Sequence, residues 1–154
     1  LEAQEGRMFK PLAWTKTFAM AAAAVAFAAQ ASEVAQIKTA RGTVHVEREG
    51  QRIVATPGMS LRASDTLVTG ADGAVGVTFL DNTMVSAGPS TVFQIERYRF
   101  NSTTHDGEFD AALKKGSLAV VSGKMVKHTP GSMRVRTPSS VMGVRGTEFL
   151  VRVD

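Results

Sequence analysis

The chain of 154 residues has no cysteine, only three histidines and few aromatic residues. The absence of cysteine excludes disulfide bonds, zinc–thiolate sites, cysteine nucleophiles and lipid attachment at an N-terminal cysteine. His45, His105 and His128 lie far apart, and no pair has the spacing of metal ligands. We therefore expect no metal ion and no cofactor, and a fold held together by packing and strand pairing.

Long apolar runs are also missing. AMAAAAVAFAA, at Ala19–Ala29, is shorter than the roughly 20 residues that a membrane-spanning helix needs. It follows a basic segment that starts at Met8 and precedes Ala29-Gln30-Ala31, which is typical of a secretory signal peptide. Residues 8–31 are thus predicted to be a signal peptide, and residues 1–7 an added extension or an overlong start.

Cleavage after Ala31 would leave 32–154, the length of one ordinary domain, with no stable membrane anchor. An exported domain without disulfides, behind a short signal, favours the bacterial periplasm as its location.

Charge of one sign is not in large excess, since the formal net charge is +4. Basic residues concentrate after Val120, where the aromatic Phe149 stands alone. Nucleic-acid binding requires stacking aromatics interleaved with the basic residues. We therefore expect no nucleic-acid partner, and a solvated face is the simpler interpretation of the charge.

Helical spacing is almost absent after the predicted signal, and alternation replaces it. Val75, Val77 and Phe79 share one side of a predicted strand. In STVFQIERYRF the apolar residues expected to be buried have odd numbers at first, Phe93 and Ile95, and even numbers later, Tyr98 and Phe100. Because side chains alternate strictly along a strand, this switch predicts a bulge near Glu96-Arg97.

Dense glycine and proline punctuation predicts an all-β fold: a compact stack of short strands, either a small β-solenoid or sandwich-like. The strongest helix candidate is FDAALKK, before Gly116. ATPGMSLR and HTPGSMRV resemble each other, which indicates either a recurrent type of corner or the rungs of a short solenoid. Asp65, Asp72 and Asp81 recur near turns, where carboxylates cap backbone N–H groups.

Several motifs occur in a recognisable order. RGTVHV is followed by ATPGMSLRASDTLVTGADGAVGVTFLDNTMVSAGPSTVFQI, then ALKKGSLAVV, and VRTPSSVMGVRGTEFLVRV closes the chain. From about Gly42 to Val153 this order resembles the FecR domain, the periplasmic module of iron-transport regulators and of stand-alone exported proteins. The ending, with Thr137-Pro138 followed by Gly146-Thr147 and Phe149, is the most specific part.

The resemblance implies a non-catalytic, protein-interacting and signal-sensing role. In the regulators this domain receives the state of an outer-membrane transporter and relays it across the inner membrane to a sigma factor. We expect the module here without the cytoplasmic segment and membrane helix of those regulators. Another cell-envelope protein is the expected partner, and a module that binds polysaccharide or peptidoglycan is the alternative. The oligomeric state stays open.

The resemblance also implies one reactive site. Some transmembrane members of the family cleave themselves between glycine and threonine by an N-to-O acyl shift, and Gly146-Thr147 falls on the matching motif. The structural alternative is that Thr147 shares the parity of Phe149 and packs inward, with its hydroxyl bonded to backbone. Val141, Val144 and Val151 are expected to add buried apolar contact.

A basic and aromatic interaction surface is the remaining prediction. Its proposed members are Arg97, Tyr98, Arg99, Arg134, Arg136, Arg145 and Arg152. Parity places Tyr98 with the buried residues, which favours protein binding over glycan binding at this surface.

Overall fold

The computed structural model describes residues 32–154, so the predicted extension 1–7 and signal peptide 8–31 lie outside the described residues. Strands account for most of this part of the chain, and the all-β prediction is confirmed. Among residues 32–154, no helix has the length and apolar content that crossing a membrane requires. The elements are β1 (Glu33–Arg41), β2 (Val44–Arg48), β3 (Gln51–Val54), β4 (Ser60–Arg62), β5 (Thr66–Thr69), β6 (Ala74–Phe79), β7 (Met84–Ala87), β8 (Val92–Phe100), β9 (Gly107–Val121), α1 (Lys124–His128), β10 (Met133–Arg136), β11 (Val141–Val144) and β12 (Glu148–Val153).

The strands form one open, curled sheet with two arms that share β9. The β11 arm has the order β3-β2-β5-β8-β9-β10-β11 and uses the first half of β9. The β12 arm has the order β4-β1-β6-β7-β9-β12 and uses the second half. Every pair is antiparallel except β9 with β10. This topology is that of a curled antiparallel sheet and differs from the parallel stacking of a solenoid.

In β9 the large buried residues are odd-numbered before the point where the two arms meet and even-numbered after it. Phe109 and Leu113 are buried before the bend, and Leu118 and Val120 after it. At the bend, Gly116 has φ +95°, and a Cβ at that position would lie 2.2 Å from the Thr91 hydroxyl. Because only glycine fits both the backbone angle and the close approach, the bend is fixed by sequence.

The curl brings the inner faces of the arms together around three aromatic rings. Phe79 of the β12 arm lies with its ring centroid 4.5 Å from that of Phe109 and 5.3 Å from that of Tyr98. Tyr98 and Phe109, both of the β11 arm, meet edge to face at 5.1 Å. Tilted and edge-to-face geometries are the favoured ones for aromatic pairs, so this cluster ties the arms to each other.

The predicted bulge in β8 is confirmed, since the register with β9 shifts between Ile95 and Arg97. The predicted helix FDAALKK is wrong, because those residues lie within β9 and hydrogen-bond to strands on both sides. The TPG echo is a recurrent corner: Met59 N–H donates to the Thr56 carbonyl, and Ser132 N–H to the Thr129 carbonyl, each at 3.1 Å. Pro followed by a glycine with positive φ is the signature of a type II turn.

Candidate functional site

Charged side chains cover the outer face of β8, β9 and β10. Strand register sets Arg97, Asp110 and Arg134 side by side on three adjacent strands. The neighbouring inward positions are apolar, so alternation alone puts these charges on the solvent side. We call this surface the charged face; it consists of Glu96, Arg97, Glu108, Asp110, Arg134 and Arg136.

The arginines of the charged face are matched by an equal number of carboxylates. Arg134 Nε donates to Asp110 Oδ1 at 2.8 Å, and Arg134 Nη2 donates to Glu108 Oε1 at 3.0 Å. Arg97 Nη1 lies 3.4 Å from the same Glu108 oxygen. The hydrogen bond to Asp110 raises the pKa of Arg134 above its ordinary value. A face neutralised in this way suits partners with mixed charge better than a polyanion.

A small cleft opens at the end of the charged face. Arg136, which lies opposite Ala112 of β9, pairs with Glu96, which lies in the β8 bulge beside Asp110 and Ala111. The cleft has a volume of about 240 Å³ and is bordered on its outer side by Val141 of β11. It therefore combines ion pairs with one exposed apolar side chain beside a strand edge.

The structure brings together only some residues of the predicted interaction surface. Arg97, Arg134 and Arg136 share the charged face, and Arg99 follows on β8. Arg145 lies in the loop between β11 and β12, and Arg152 lies on β12 in the other arm. Tyr98 points into the core, as parity predicted, and Phe100 is half-buried against the core.

The hydroxyl of Tyr98 belongs to a buried polar network. It donates to Asp81 Oδ1 at 2.9 Å and accepts from the Asp81 N–H at 3.0 Å. The Asp81 carboxylate also accepts from the Thr83 hydroxyl and from the N–H groups of Thr83 and Met125. Burial, followed by the charge of Asp81, raises the pKa of Tyr98 well above its ordinary value. The network joins the β6–β7 turn to β8 and α1.

A second buried carboxylate is held by an arginine. Asp65 accepts from Arg48 Nε at 2.9 Å and Arg48 Nη2 at 2.7 Å, and from the Arg62 N–H at 2.8 Å. This hydrogen bonding raises the pKa of Arg48. The Thr43 N–H donates a hydrogen bond to the Asp72 carboxylate, and this bond is the main reason why the pKa of Asp72 lies below its ordinary value. The predicted capping roles of Asp65, Asp72 and Asp81 thus hold, but sequence alone missed Arg48, Tyr98 and Thr83 as partners.

The closing motif forms a hairpin tip followed by an edge strand. Thr137 N–H donates to the Ser140 carbonyl at 2.8 Å, and Ser140 N–H donates to Thr137 Oγ1 at 3.1 Å, across Pro138. Phe149 is half-buried and packs against the core. Thr137 and Ser140 thus shape the β10–β11 turn, and Phe149 holds β12 against the core.

The Gly146-Thr147 bond lies in the loop before β12. Thr147 is exposed, so the expectation that it packs inward is wrong; alternation begins only with β12. The hydroxyl of Ser122 donates to the Gly146 carbonyl, and the Ser122 N–H donates to the Thr147 carbonyl, both at 2.7 Å. Gly146 has no left-handed φ, so its backbone is one that other residues adopt.

The histidines form no metal centre in the part of the chain that the structure describes. His105 stacks on Phe100, and its ring lies 6.3 Å from that of His128. His128 Nε2 lies 3.1 Å from Asp106 Oδ1, with both side chains well exposed. This arrangement is a polar loop contact.

Strand edges carry exposed apolar residues that sequence reasoning missed. Val54 on β3 is 66% exposed, Val141 on β11 is 64% exposed and Leu150 on β12 is 75% exposed. The expectation that Val141 is buried is therefore wrong, because it faces Arg136 across the β10–β11 pair and shares its outward side, whereas Val144 points inward. Leu150 shares the parity of Glu148 and Arg152, so alternation could have identified it as outward-facing.

Comparison with known families supports the motif reading. The family model described as FecR protein matches residues 65–154, which is more than half of the chain. The match begins at Asp65 and includes the charged face and the Asp81 network, whereas the resemblance in the sequence began near Gly42. No curated protein and no solved structure shows significant similarity to the chain.

Proposed function

The chain belongs to the FecR family, and we propose that its β domain receives a signal in the bacterial periplasm by binding another envelope protein. FecR domains are regulatory modules, and the family is associated with the cell envelope. Binding in this proposal uses an extended segment of the partner, which adds to the free edge of β11.

The edge of β11 carries the proposal. In the described residues β11 pairs with β10 alone. The bond from Thr137 N–H to the Ser140 carbonyl sets the hairpin register. Because backbone groups alternate sides in an antiparallel pair, those of Val141 and Gly143 point away from β10. Such groups are a template for a further strand.

The surroundings of this edge define the chemistry of the partner. The exposed Val141 offers one apolar contact, and Arg136, Glu96 and Asp110 line the adjoining cleft. A segment with an apolar side chain flanked by charges of both signs would match them. The inward position of Tyr98 removes the aromatic shelf on which sugar binding would depend.

A charge introduced at the β11 edge tests the proposal. The measurement is the envelope protein that the unchanged domain retains from envelope extract and to which it can be cross-linked. We expect Val141→Asp to abolish this retention, because the change would place a carboxylate in an apolar contact. Val54→Asp is the matched control, since Val54 is equally exposed on the edge at the other end of the same arm. Both variants should keep the unfolding midpoint of the parent.

Equal retention by all three proteins would exclude the β11 edge. Retention of labelled peptidoglycan or polysaccharide, with no protein bound, would replace the proposal with the glycan-binding alternative.

The intact mass of the purified mature protein tests self-cleavage at Gly146-Thr147. We expect one species, because Gly146 lacks the left-handed φ that would strain this peptide bond toward the shift. Two fragments whose masses correspond to cleavage between Gly146 and Thr147 would contradict this expectation and show that the loop cleaves itself.

A further inference from the structure

The other arm also ends in an open strand, β12, whose residue pattern differs from that of β11. Its inward residues Phe149, Val151 and Val153 pack toward the core. Its outward residues are Glu148, Leu150 and Arg152, in that order. An acid, an apolar residue and a base thus follow one another along one face of an edge strand.

The backbone of β12 presents these same three residues to the open side. Ser122 N–H donates to the Thr147 carbonyl at 2.7 Å, which continues the register that sets Glu148 opposite Val121. Because hydrogen-bonding direction alternates along an antiparallel pair, the odd-numbered residues of β12 bond to β9. The free N–H and C=O groups therefore belong to Glu148, Leu150 and Arg152.

We propose that β12 pairs antiparallel with β12 of a second copy of this chain, with Leu150 on the two-fold axis. In this register Leu150 faces Leu150, and Glu148 of each copy faces Arg152 of the other. Opposite charges across paired strands are favourable, and like charges are unfavourable. On the inner side, Phe149 of each copy then faces Val151 of the other, so both faces match.

Neighbouring registers lack this complementarity. Shifting the centre of pairing to Glu148 sets glutamates against each other, and shifting it to Arg152 sets arginines against each other. A parallel arrangement in register also opposes like charges at both ends. Among the antiparallel registers centred on an outward-facing residue, charge therefore favours the one centred on Leu150.

The surface around the edge supports a second copy as the occupant. Leu150 lies opposite Ala119 of β9, Val121 lies two residues further along that strand, and Met84 of β7 lies opposite Val121. Leu150, Val121 and Met84 are exposed apolar residues on this outer face. Pairing at Leu150 would join the two apolar patches across the two-fold axis and reduce the exposed apolar area.

The edge of β12 has room for an added strand, and pairing there would break only a weak ion pair. A cleft of about 560 Å³ lies between Leu150–Asp154 and the hairpin tip around Pro138. Arg152 contacts Asp154 at 3.4 Å, and both side chains are largely exposed. An exposed ion pair of this kind contributes little, so Arg152 can exchange it for Glu148 of the second copy.

Charge reversal provides the test, measured as the dissociation constant of the purified protein by analytical ultracentrifugation. We expect the parent to dimerise and both Glu148→Arg and Arg152→Glu to raise the dissociation constant about tenfold or more, because each opposes like charges twice. Mixing the two variants should restore dimers as a heterodimer, since one chain then carries two bases and the other two acids. A parent that stays monomeric, or a mixture that does not associate, would overturn the proposal.

A cysteine at the two-fold axis gives a second readout, because the chain has no cysteine of its own. Facing residues in a hydrogen-bonded antiparallel pair have Cα atoms about 5.5 Å apart, within the disulfide range. Leu150→Cys should therefore form a disulfide-linked dimer on mild oxidation, whereas Leu80→Cys, at another exposed leucine, should not. Equal cross-linking of both variants would contradict the register.

This proposal stands apart from binding at β11. Val141→Asp should leave the dimer dissociation constant unchanged, because Val141 lies on the edge of the other arm. A dimer constant that changes with Val141→Asp would contradict the assignment of the interface to β12.

Discussion

Asp65 and Asp81 are both buried carboxylates beside turns, 2% and 0% exposed, yet they are satisfied in different ways. Asp65 receives a bidentate arginine, Arg48, whereas Asp81 receives hydroxyl and backbone N–H groups. The first arrangement concentrates stabilisation in one partner, and the second distributes it over several. Loss of one partner should therefore be more damaging at Asp65 than at Asp81.

The largest expected effect is that of Arg48→Met. It leaves the Asp65 charge buried without its cation, at a cost of roughly 3 kcal/mol, the lower end for buried pairs because Arg48 keeps partial contact with water. Urea denaturation measures the loss. Arg52→Met is the matched control: its pair with Glu47 is exposed on both sides, so the expected loss is about 0–1 kcal/mol. Similar losses for the two variants would contradict the comparison.

An intermediate effect is expected for Tyr98→Phe. The change removes one donor from Asp81 and one acceptor from its N–H, at a cost of about 1–3 kcal/mol. Other donors to Asp81 remain, which is why the loss should be smaller than that of Arg48→Met. A loss larger than that of Arg48→Met would reverse the comparison.

The stability that the buried Tyr98 hydroxyl contributes should depend on pH. Its pKa is raised on folding, so the stabilisation is fully present below the ordinary tyrosine pKa of about 10 and is lost as pH rises above it. Tyr98 is the only tyrosine, so the absorbance of tyrosinate reports on it alone. We expect tyrosinate to appear together with alkaline unfolding. Tyrosinate near pH 10 in a folded protein would contradict burial of the hydroxyl.

The smallest effect is expected on the charged face. Arg134→Gln removes bonds to Asp110 and Glu108, but Arg134 is half exposed, so the loss of stability should be smaller than that of Tyr98→Phe and should shrink with added salt. Denaturation at low and high ionic strength measures both quantities. A loss equal to that of Arg48→Met would show that exposure does not separate the two kinds of ion pair.

Alternation predicted much of the fold because each strand has one buried side. Val75, Val77 and Phe79 are buried together, and the parity switch before Tyr98 correctly marked the β8 bulge. FDAALKK was misassigned because its residues tolerate helix, and pairing with β8 and β10 overrides that local preference. The Asp81 network could not be read from sequence, since Tyr98 is brought to it only by the curl of the sheet.

The shared strand β9 gives the two edges a common mechanical origin. Both β10 and β12 hydrogen-bond to it, on either side of the bend at Gly116. Any change in the angle at that glycine alters the separation between the outermost strands of the two arms. A side chain at Gly116, where a Cβ would lie 2.2 Å from the Thr91 hydroxyl, should therefore disturb both edges at once, because one continuous segment of backbone carries the strands of both arms.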